Sequence, residues 1–199
     1  SSVLNEKQMQ TLVDRIKQAD QKAYRELYDM FNIPMYNICL RMMNQPEDAL
    51  DVLQETFIKV FQNIQQLNNG QLLPAWIKKI CINTALSELD KKQKLQFDDL
   101  NDESVLYSLN FEDGVIDEFE HESNMAEIMN AIELLPERYR IVFTLYAIED
   151  YSHEEIAQML GIVASTSRSQ YLRGKQKLLE IIKKNKQHVR SIKTIYTTA

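Results

Sequence analysis

Several sequence patterns that mark other protein classes are scarce in this chain of 199 residues. Sustained alternation of apolar and polar residues is missing, and only four glycines and four prolines interrupt long amphipathic runs. Strands alternate at a period of two and helices at about 3.6 residues, so this pattern disfavours sheets and predicts an all-α protein. The chain also lacks an apolar run of membrane-spanning length and a basic-then-apolar signal at its N-terminus. We therefore expect a cytoplasmic protein with no membrane insertion.

Residues of the kinds that carry catalysis or bind metals are also few. Cys39 and Cys81 lie in apolar helical contexts, where cysteine usually behaves as a small buried hydrophobe, and no cysteine or histidine spacing indicates a metal. His153 stands alone at a helix start, and the sequence has no glycine-rich loop to hold a phosphate. An enzyme therefore has little support. We expect a reducing compartment, no catalytic residue, no metal and no cofactor.

Charge divides the chain more sharply than its net value of −6 suggests. Acidic residues recur from 97 to 122 without any lysine or arginine, which is typical of a flexible acidic linker. This linker is either an inert tether or a polyanion that imitates nucleic acid in a basic channel. The chain is 44% hydrophobic, enough for one sizeable core or two small ones, and two small cores fit the pattern better. The prediction is two small helical domains at 5–94 and 123–187, the linker at 95–122 and a basic tail at 188–199.

The stretch from Tyr151 to Leu179 predicts a helix-turn-helix. Ser152 and Glu155 have the spacing of a capping box, and Gly161 suits the left-handed conformation that ends a helix. A second helix follows at once. Its inward stripe is predicted to contain small or apolar residues at helical spacing, namely Ser167, Tyr171, Gly174 and Leu178. Its outward face is predicted to contain Ser165, Arg168, Ser169, Leu172 and Arg173.

This outward face has the chemistry of a surface that contacts a DNA major groove. Guanidinium groups bind guanine edges or phosphates, and serine hydroxyls add local donors. Basic residues also dominate the chain from Arg168 onward, with Glu180 the only acid among them. A basic end of this kind is the electrostatic pattern expected of a DNA contact. The alternative is an antiparallel helix pair in a helical core, with a solvated polar face.

The first domain is predicted to contain several amphipathic helices. Asp20 is expected to cap one helix, and Pro34 is expected to open another. A further helix is predicted from Pro46 to Leu67. Its outward face contains Asp48, Asp51, Gln54, Glu55 and Lys59. A solvated polar face is the default explanation of this pattern, and a partner site is the alternative.

A loop with Gly70 free to turn leads into a helix that starts at Pro74. One outward flank of this helix contains Trp76, Lys79 and Asn83, and its end carries Lys91, Lys92 and Lys94. Bases stack on exposed aromatic rings while lysines hold phosphates, so this flank suits single-stranded nucleic acid. The alternative is a core tryptophan beside a solvated lysine face.

The order of these segments resembles the extracytoplasmic-function (ECF) group of the sigma-70 family, which are bacterial RNA polymerase initiation factors. The family's polymerase-binding segment resembles EDALDVLQETFIKVF, and its promoter-melting segment resembles PAWIKKICINTA. Its fourth domain resembles LPERYRIVFTLYAIEDYSHEEIAQMLGI followed by STSRSQYLRGKQKL. The resemblance covers most of the chain, and the acidic segment stands where the family has its linker. It implies a non-enzymatic factor that binds core RNA polymerase and promoter DNA, with an anti-sigma factor as its regulator.

The resemblance also implies roles for single residues. The expected polymerase contacts are Asp51, Gln54, Glu55 and Lys59. Asn83 matches the asparagine that reads an unpaired base of the −10 element, and residues 68–73 match a loop that pockets a flipped base. The expected −10 contacts are Asn83, Trp76, Lys79, Lys91, Lys92, Asn69 and Gly70. The expected −35 contacts are His153, Glu154, Ser165, Arg168, Ser169, Leu172 and Arg173.

Two departures from the family pattern bear on promoter choice. Ser165 replaces a common glycine, and Gln170 stands where a basic residue is frequent, so the −35 sequence is left open. The rival function is a stand-alone helix-turn-helix regulator that binds duplex operators as a dimer. That rival would leave the first domain without a task.

Overall fold

The fold is taken from a computed structural model, which describes residues 5–92 and 125–197, with side chains up to residue 187. The chain divides into two compact units, Ser1–Lys94 and Leu95–Ala199. Within the described ranges every regular element is a helix and no strand occurs. The all-α prediction is therefore confirmed. The predicted linker at 95–122 and the predicted contribution of Lys94 lie outside the described residues.

The first unit is a packed group of helices. It contains α1 (Glu6–Lys17), α2 (Gln21–Met43), α3 (Pro46–Asn63) and α4 (Leu73–Lys91). Two 3-10 turns, Ile64–Gln66 and Gly70–Leu72, connect α3 to α4. Helices α2, α3 and α4 pack against one another, while α1 packs on α2 and on the two turns.

Local capping explains where α2 begins, and core packing explains how far it continues. The Asp20 side chain accepts from the backbone N–H groups that follow it, so its predicted capping role is confirmed. Pro34 does not open a helix, because α2 already runs through it to Met43. Proline inside a helix costs about 3 kcal/mol. Its neighbours Phe31 and Met35 are buried, and their packing in the core offsets that cost.

Cys39 and Cys81 bring α2 and α4 together in the core. Both side chains are fully buried and in the thiol form, and their Sγ atoms lie 3.4 Å apart. The prediction that they are small buried hydrophobes is confirmed. Burial and the neighbouring sulfur raise the pKa of the Cys39 thiol far above its usual value, with the contact to Cys81 the larger cause.

Gly70 is a packing glycine rather than a freely turning one. Its backbone N–H donates to Gln10 Oε1 at 2.7 Å, and a Cβ atom at this position would lie 2.6 Å from Gln10 Cα. The residue is buried against α1. The expectation that Gly70 is free to turn is therefore wrong, because contact with a distant helix fixes it.

The second unit contains the helix-turn-helix. Its elements are α5 (Met125–Glu133), α6 (Glu137–Phe143), a π-helical turn (Thr144–Ile148), α7 (His153–Leu160) and α8 (Ala164–Thr197). The predicted capping box is confirmed, since Glu155 N–H donates to Ser152 Oγ at 3.2 Å and Ser152 N–H donates to Glu155 Oε2 at 2.8 Å. Gly161 ends α7 with a φ of +67°, the left-handed conformation that was expected.

The inward stripe of α8 packs as predicted. Ser167, Gly174 and Leu178 are buried, and Tyr171 is half-buried against Phe143, with ring centroids 5.6 Å apart. Gly174 allows a close approach, because a Cβ atom there would lie 3.2 Å from Tyr139 Cβ. The core of this unit joins Leu178 and Ile182 of α8 to Ile128, Ala131 and Ile132 of α5.

Helix α8 is longer than expected. Most of the basic tail predicted at 188–199 lies on α8, which continues to Thr197. After Ile182 the sequence contains neither glycine nor proline, the residues that most readily stop a helix. The basic end of the chain is therefore a continuation of the second helix of the helix-turn-helix.

Candidate nucleic-acid interface

The outward side of α3 is a mixed acidic and apolar surface. Asp51, Gln54 and Glu55 are exposed on it, as expected of a partner site. The same side exposes Leu50 by 55% and Ile58 by 44%. These five residues are called the α3 face below. Sequence reasoning missed the two apolar residues, although their four-residue spacing from Gln54 places all three on one side of a helix.

Lys59 lies at the edge of the α3 face and reaches toward α4. Its Nζ lies 3.6 Å from Glu55 Oε1 and donates to Thr84 Oγ1 at 3.3 Å. The contact with Thr84 turns this lysine away from the centre of the α3 face.

A groove of about 250 Å³ lies between α3 and α4. Its lining residues are Lys59, Asn63, Gln66, Trp76, Ile80, Asn83, Thr84 and Ser87. This α3–α4 groove combines an ammonium group, three amides and two hydroxyls with the apolar surfaces of Trp76 and Ile80. Such a lining can hydrogen-bond the edge of a base and pack against its face. The groove unites Trp76 and Asn83, predicted to bind the −10 element, with Lys59, which was predicted to bind polymerase.

Trp76 is neither a core residue nor fully exposed, because it is half-buried on the wall of the groove. Asn83 is exposed on the same helix. The choice between a core tryptophan and a stacking surface was left open by the sequence. The structure supports a tryptophan that is anchored on one side and accessible on the other.

The basic end of α4 is tied to α3. Lys92 Nζ lies 2.6 Å from Asp48 Oδ1 and 3.8 Å from Glu88 Oε1, and Lys91 Nζ lies 3.7 Å from Glu88 Oε2. The hydrogen bond from Lys92 to Asp48 raises the pKa of Lys92. Lys79 is exposed further back on α4 and does not line the groove. None of these three lysines lines the groove.

The loop before α4 lies apart from the groove lining. Asn69 is exposed, and its Oδ1 accepts from Gln71 N–H at 3.0 Å, which caps the following turn. Gly70 is buried against α1, so a direct base contact by this residue has no support in the structure. The physical reason is the close packing of the Gly70 backbone on Gln10.

The first helix of the helix-turn-helix carries two side chains that contact the second. Glu154 Oε1 lies 3.3 Å from Arg168 Nη1, and both side chains are exposed. The pKa of Glu154 is lowered, first by its own backbone N–H and then by Arg168. Arg168 is therefore held by an acid on the same exposed surface that is predicted to face DNA.

His153 lies behind this surface rather than on it. Its ring stacks on Tyr146, with centroids 4.1 Å apart and planes 9° apart, and its Nδ1 lies 2.9 Å from Ser167 Oγ. Partial burial lowers the pKa of His153, and the charge of Arg168 lowers it further. The neutral imidazole thus links α7 to the inner side of α8. His153 is half-buried, so part of its ring remains accessible.

Ser169 corrects the predicted outward face of α8. It is only 8% exposed, and its Oγ donates to the Thr166 carbonyl at 3.0 Å. Serine in a helix commonly satisfies its hydroxyl on a carbonyl one turn back, and that bond directs Ser169 onto its own helix. Ser165 and Arg168 are exposed, while Leu172 and Arg173 are half-buried.

The described part of the chain shows no other type of centre. Within the described ranges 5–92 and 125–187, no group of three or more His, Cys, Asp or Glu side chains is placed to hold a metal ion. No described helix is both long and apolar enough to cross a membrane.

An arginine-bearing helix-turn-helix, joined in one chain to a second all-helical unit, defines a helix-turn-helix transcription protein. Comparison with known protein families identifies this class more specifically than the fold does. Sigma-70 region 2 matches residues 27–95, and Sigma-70, region 4 matches residues 125–178.

Curated relatives agree with both matches. The chain is 28% identical over 174 residues to the ECF RNA polymerase sigma factor SigW of Bacillus subtilis, covering 83% of this chain and 92% of that protein. It is 27% identical over 175 residues to the ECF RNA polymerase sigma-E factor of Escherichia coli, covering 84% and 90%. The chain therefore belongs to the ECF group of the sigma-70 family.

A solved structure supports the fold. The sigma factor RpoE in complex with the anti-sigma factor NepR from Bartonella quintana matches with a TM-score of 0.51 and 18% identity, covering 81% of this chain and 98% of that chain. At this identity the match concerns the fold alone.

Family membership fixes the general function. The protein is a non-enzymatic transcription initiation factor that binds core RNA polymerase and directs it to promoter DNA. The expectation that it is not an enzyme is confirmed. The alternative function, a stand-alone regulator, is excluded, because the first unit matches Sigma-70 region 2 and so belongs to an initiation factor.

Proposed function

We propose that the first unit binds core RNA polymerase through the α3 face and captures unpaired −10 bases in the α3–α4 groove. The helix-turn-helix of the second unit binds the −35 element as closed duplex, mainly through Arg168. Promoter opening then requires no covalent chemistry. Extruding a base costs a few kcal/mol, and stacking of a base on an aromatic ring recovers about 1–3 kcal/mol.

The α3–α4 groove is the observation on which this proposal rests. Lys59 comes from α3, whereas Trp76 and Asn83 come from α4, and all three line one space of about 250 Å³. An amide can pair with the Watson–Crick edge of a base, a ring can stack on its face, and an ammonium can bind the adjoining phosphate. Because Lys59 bonds Thr84 in this groove, we assign it to the −10 site rather than to the polymerase site.

The α3 face supports the polymerase contact. Leu50 and Ile58 are large apolar side chains that remain exposed, flanked by Asp51 and Glu55. An apolar centre with a charged rim is the arrangement found in protein interfaces. The acidic rim favours a basic surface on the polymerase.

The arrangement of the helix-turn-helix supports the −35 contact. Arg168 and Ser165 are exposed near the start of α8, where a recognition helix contacts base edges. Glu154 holds Arg168 in the free protein, and its carboxylate can accept a hydrogen bond from cytosine once DNA is bound. His153 positions α8 through Ser167.

The proposal assigns 5–94 to polymerase binding and −10 capture, 95–122 to the linker and 123–187 to −35 binding. It places the protein in the cytoplasm, where the polymerase acts. It also includes an inhibitory anti-sigma factor as partner, because the structural neighbour RpoE was crystallised with one.

Run-off transcription with core polymerase tests the proposal. A promoter is first selected from random DNA by the holoenzyme, because the target sequence is unknown. Asn83→Ala is expected to form holoenzyme normally but to lower open-complex formation at least about tenfold, equivalent to about 1.4 kcal/mol. Arg168→Ala is expected to lower recruitment to the −35 duplex by a similar factor.

Two variants serve as controls. Asn37→Ala removes an asparagine from α2, and Ser169→Ala removes a buried hydroxyl next to Arg168. Asn37→Ala is a surface change and is expected to transcribe within about twofold of wild type, since such changes cost less than about 0.5 kcal/mol. Ser169→Ala loses one hydrogen bond, about 0.5–1.5 kcal/mol of folding stability, and is expected to transcribe within about twofold at a temperature where the protein stays folded. Normal transcription by both Asn83→Ala and Arg168→Ala would refute the assignment.

A further inference from the structure

Helix α8 extends well beyond the part that the proposed function uses. The match to region 4 ends at residue 178, yet the helix continues to Thr197. The first turn of this extension is anchored, because Ile182 is buried with Leu178 in the core of the second unit. The direction of the extension is therefore set by the same core that positions the helix-turn-helix.

The extension carries charge of one sign. No acidic residue follows Glu180, whereas lysine or arginine stands at 183, 184, 186, 190 and 193. Lys183 and Lys184 are exposed. This basic end contrasts with the net charge of −6 for the whole chain.

Helical stability does not explain these charges. Favourable interaction with the helix dipole is confined to about the last turn, and Lys183 lies about four turns before Thr197. Like charges at neighbouring helical positions destabilise an isolated helix slightly. Glu180 is the one acid within a helical turn of Lys183 and Lys184, and its Oε2 lies 3.1 Å from Lys177 Nζ. The pattern therefore fits an external anion.

Helical register aligns most of these charges with the DNA-facing side of α8. At about 100° per residue, positions 175, 183 and 186 fall within an arc of about 80°. Arg168 and Leu172 fall within the same arc, since spacings of seven and eleven residues are close to two and three turns. Lys184 and Lys177 fall about 100° or more from the centre of this arc, on the side where Lys177 Nζ lies 3.1 Å from Glu180 Oε2.

We propose that this basic stripe, defined as Lys175, Lys183 and Lys186, binds backbone phosphates of the duplex flanking the −35 contact. The inference rests on the proposed function of the helix-turn-helix. A recognition helix contacts bases near its N-terminal end, and its C-terminal end can contact the backbone. Lys183 lies about 22 Å along the helix axis from Arg168, beyond the groove of about 12 Å that Arg168 enters. The stripe adds affinity without adding sequence preference.

The test measures binding of holoenzyme to −35 duplex at several salt concentrations. The double variant Lys183→Gln/Lys186→Gln is compared with Lys177→Gln/Lys184→Gln, which removes the same charge from the other side of α8. We expect the stripe variant to bind about three- to tenfold more weakly at low salt. Its slope of log affinity against log salt should become shallower by about 0.9 for each phosphate that the variant no longer neutralises. The control should stay within about twofold of wild type.

A second duplex, shortened to the −35 element alone, locates the contact. On this probe the difference between the stripe variant and the control should disappear. Equal weakening by both double variants would overturn the inference, as would weaker binding of the stripe variant to core polymerase without DNA. Arg168→Ala distinguishes a failure of the proposed function from a failure of the inference about the basic stripe. If Arg168→Ala leaves duplex binding unchanged, the proposed function fails. If it weakens binding while the stripe variant does not, only the inference fails.

Discussion

Lys59 on α3 donates a hydrogen bond of 3.3 Å to the hydroxyl of Thr84 on α4. The two residues lie on facing walls of the α3–α4 groove. On the basis of this contact we propose that Lys59 serves the −10 site, although the family resemblance predicts a polymerase contact for it.

Lys59→Ala should therefore separate DNA binding from polymerase binding. We expect the affinity of the holoenzyme for single-stranded −10 DNA to fall about tenfold, because a charged contact to phosphate contributes about 1.5–3 kcal/mol. Core polymerase binding, measured by fluorescence anisotropy, should change less than about twofold. Glu55→Ala is the matched variant and should show the opposite pattern. A loss of polymerase binding by Lys59→Ala with intact −10 binding would return Lys59 to the polymerase site.

Leu50→Asp and Ile58→Asp should each weaken core polymerase binding at least about tenfold, because burial of such a side chain contributes about 1.5–3 kcal/mol. Both residues are exposed in the free protein, so their replacement should leave the thermal unfolding temperature nearly unchanged. Ile33→Asp is the control, because Ile33 is 68% exposed on α2. If all three variants bind polymerase alike, the α3 face is not the docking surface.

His153 should stay neutral at a pH where an ordinary histidine is charged. Burial lowers its folded-state pKa, and Arg168 lowers it further. Below a pH of about 6.5, the unfolded chain takes up a proton that the folded chain resists, so stability falls as pH falls through this range. The full chain should lose thermal stability from about pH 7.5 to about pH 5.5 by more than its His153→Gln variant does.

The ring itself can be followed by NMR. The imidazole resonance of His153 should titrate with a midpoint below the ordinary value of about 6.5. A midpoint at or above that value would contradict the buried, stacked position on Tyr146.

Gly70→Ala should destabilise the first unit. The added Cβ would lie 2.6 Å from Gln10 Cα, so the backbone of the loop or of α1 must shift. Overpacking of this kind costs about 1–3 kcal/mol. Trp76 is the only tryptophan and lies in the first unit, so its fluorescence in a urea titration reports on that unit. Gly174→Ala, in the other unit, should leave this transition unchanged; equal midpoints for Gly70→Ala and wild type would show that the loop adapts freely.

Much of the fold follows from local patterns. The capping box of Ser152 with Glu155 and the left-handed Gly161 depend on residues within a few positions of one another, so the sequence predicts them. Cys39 and Cys81 are buried within apolar stretches of their helices, which the sequence shows directly. Pro34 was mispredicted because packing of distant residues outweighs a local preference.

The site was predicted less completely, because contacts between residues distant in sequence also determine it. Asn83, Trp76 and Arg168 lie where a partner can reach them, and the family resemblance had identified them. The position of Lys59 depends on Thr84, 25 residues away in sequence. The burial of Gly70 depends on Gln10, 60 residues away. Helical periodicity placed Ser169 outward, but it does not reveal a hydroxyl that bonds to its own helix.

The most direct test of two separate promoter contacts is holoenzyme binding to two isolated probes, a single-stranded −10 strand and a closed −35 duplex. Asn83→Ala should weaken only the first, and Arg168→Ala only the second, each about tenfold. Equal loss on both probes by either variant, or loss on the opposite probe, would contradict the division of promoter recognition between the α3–α4 groove and the helix-turn-helix.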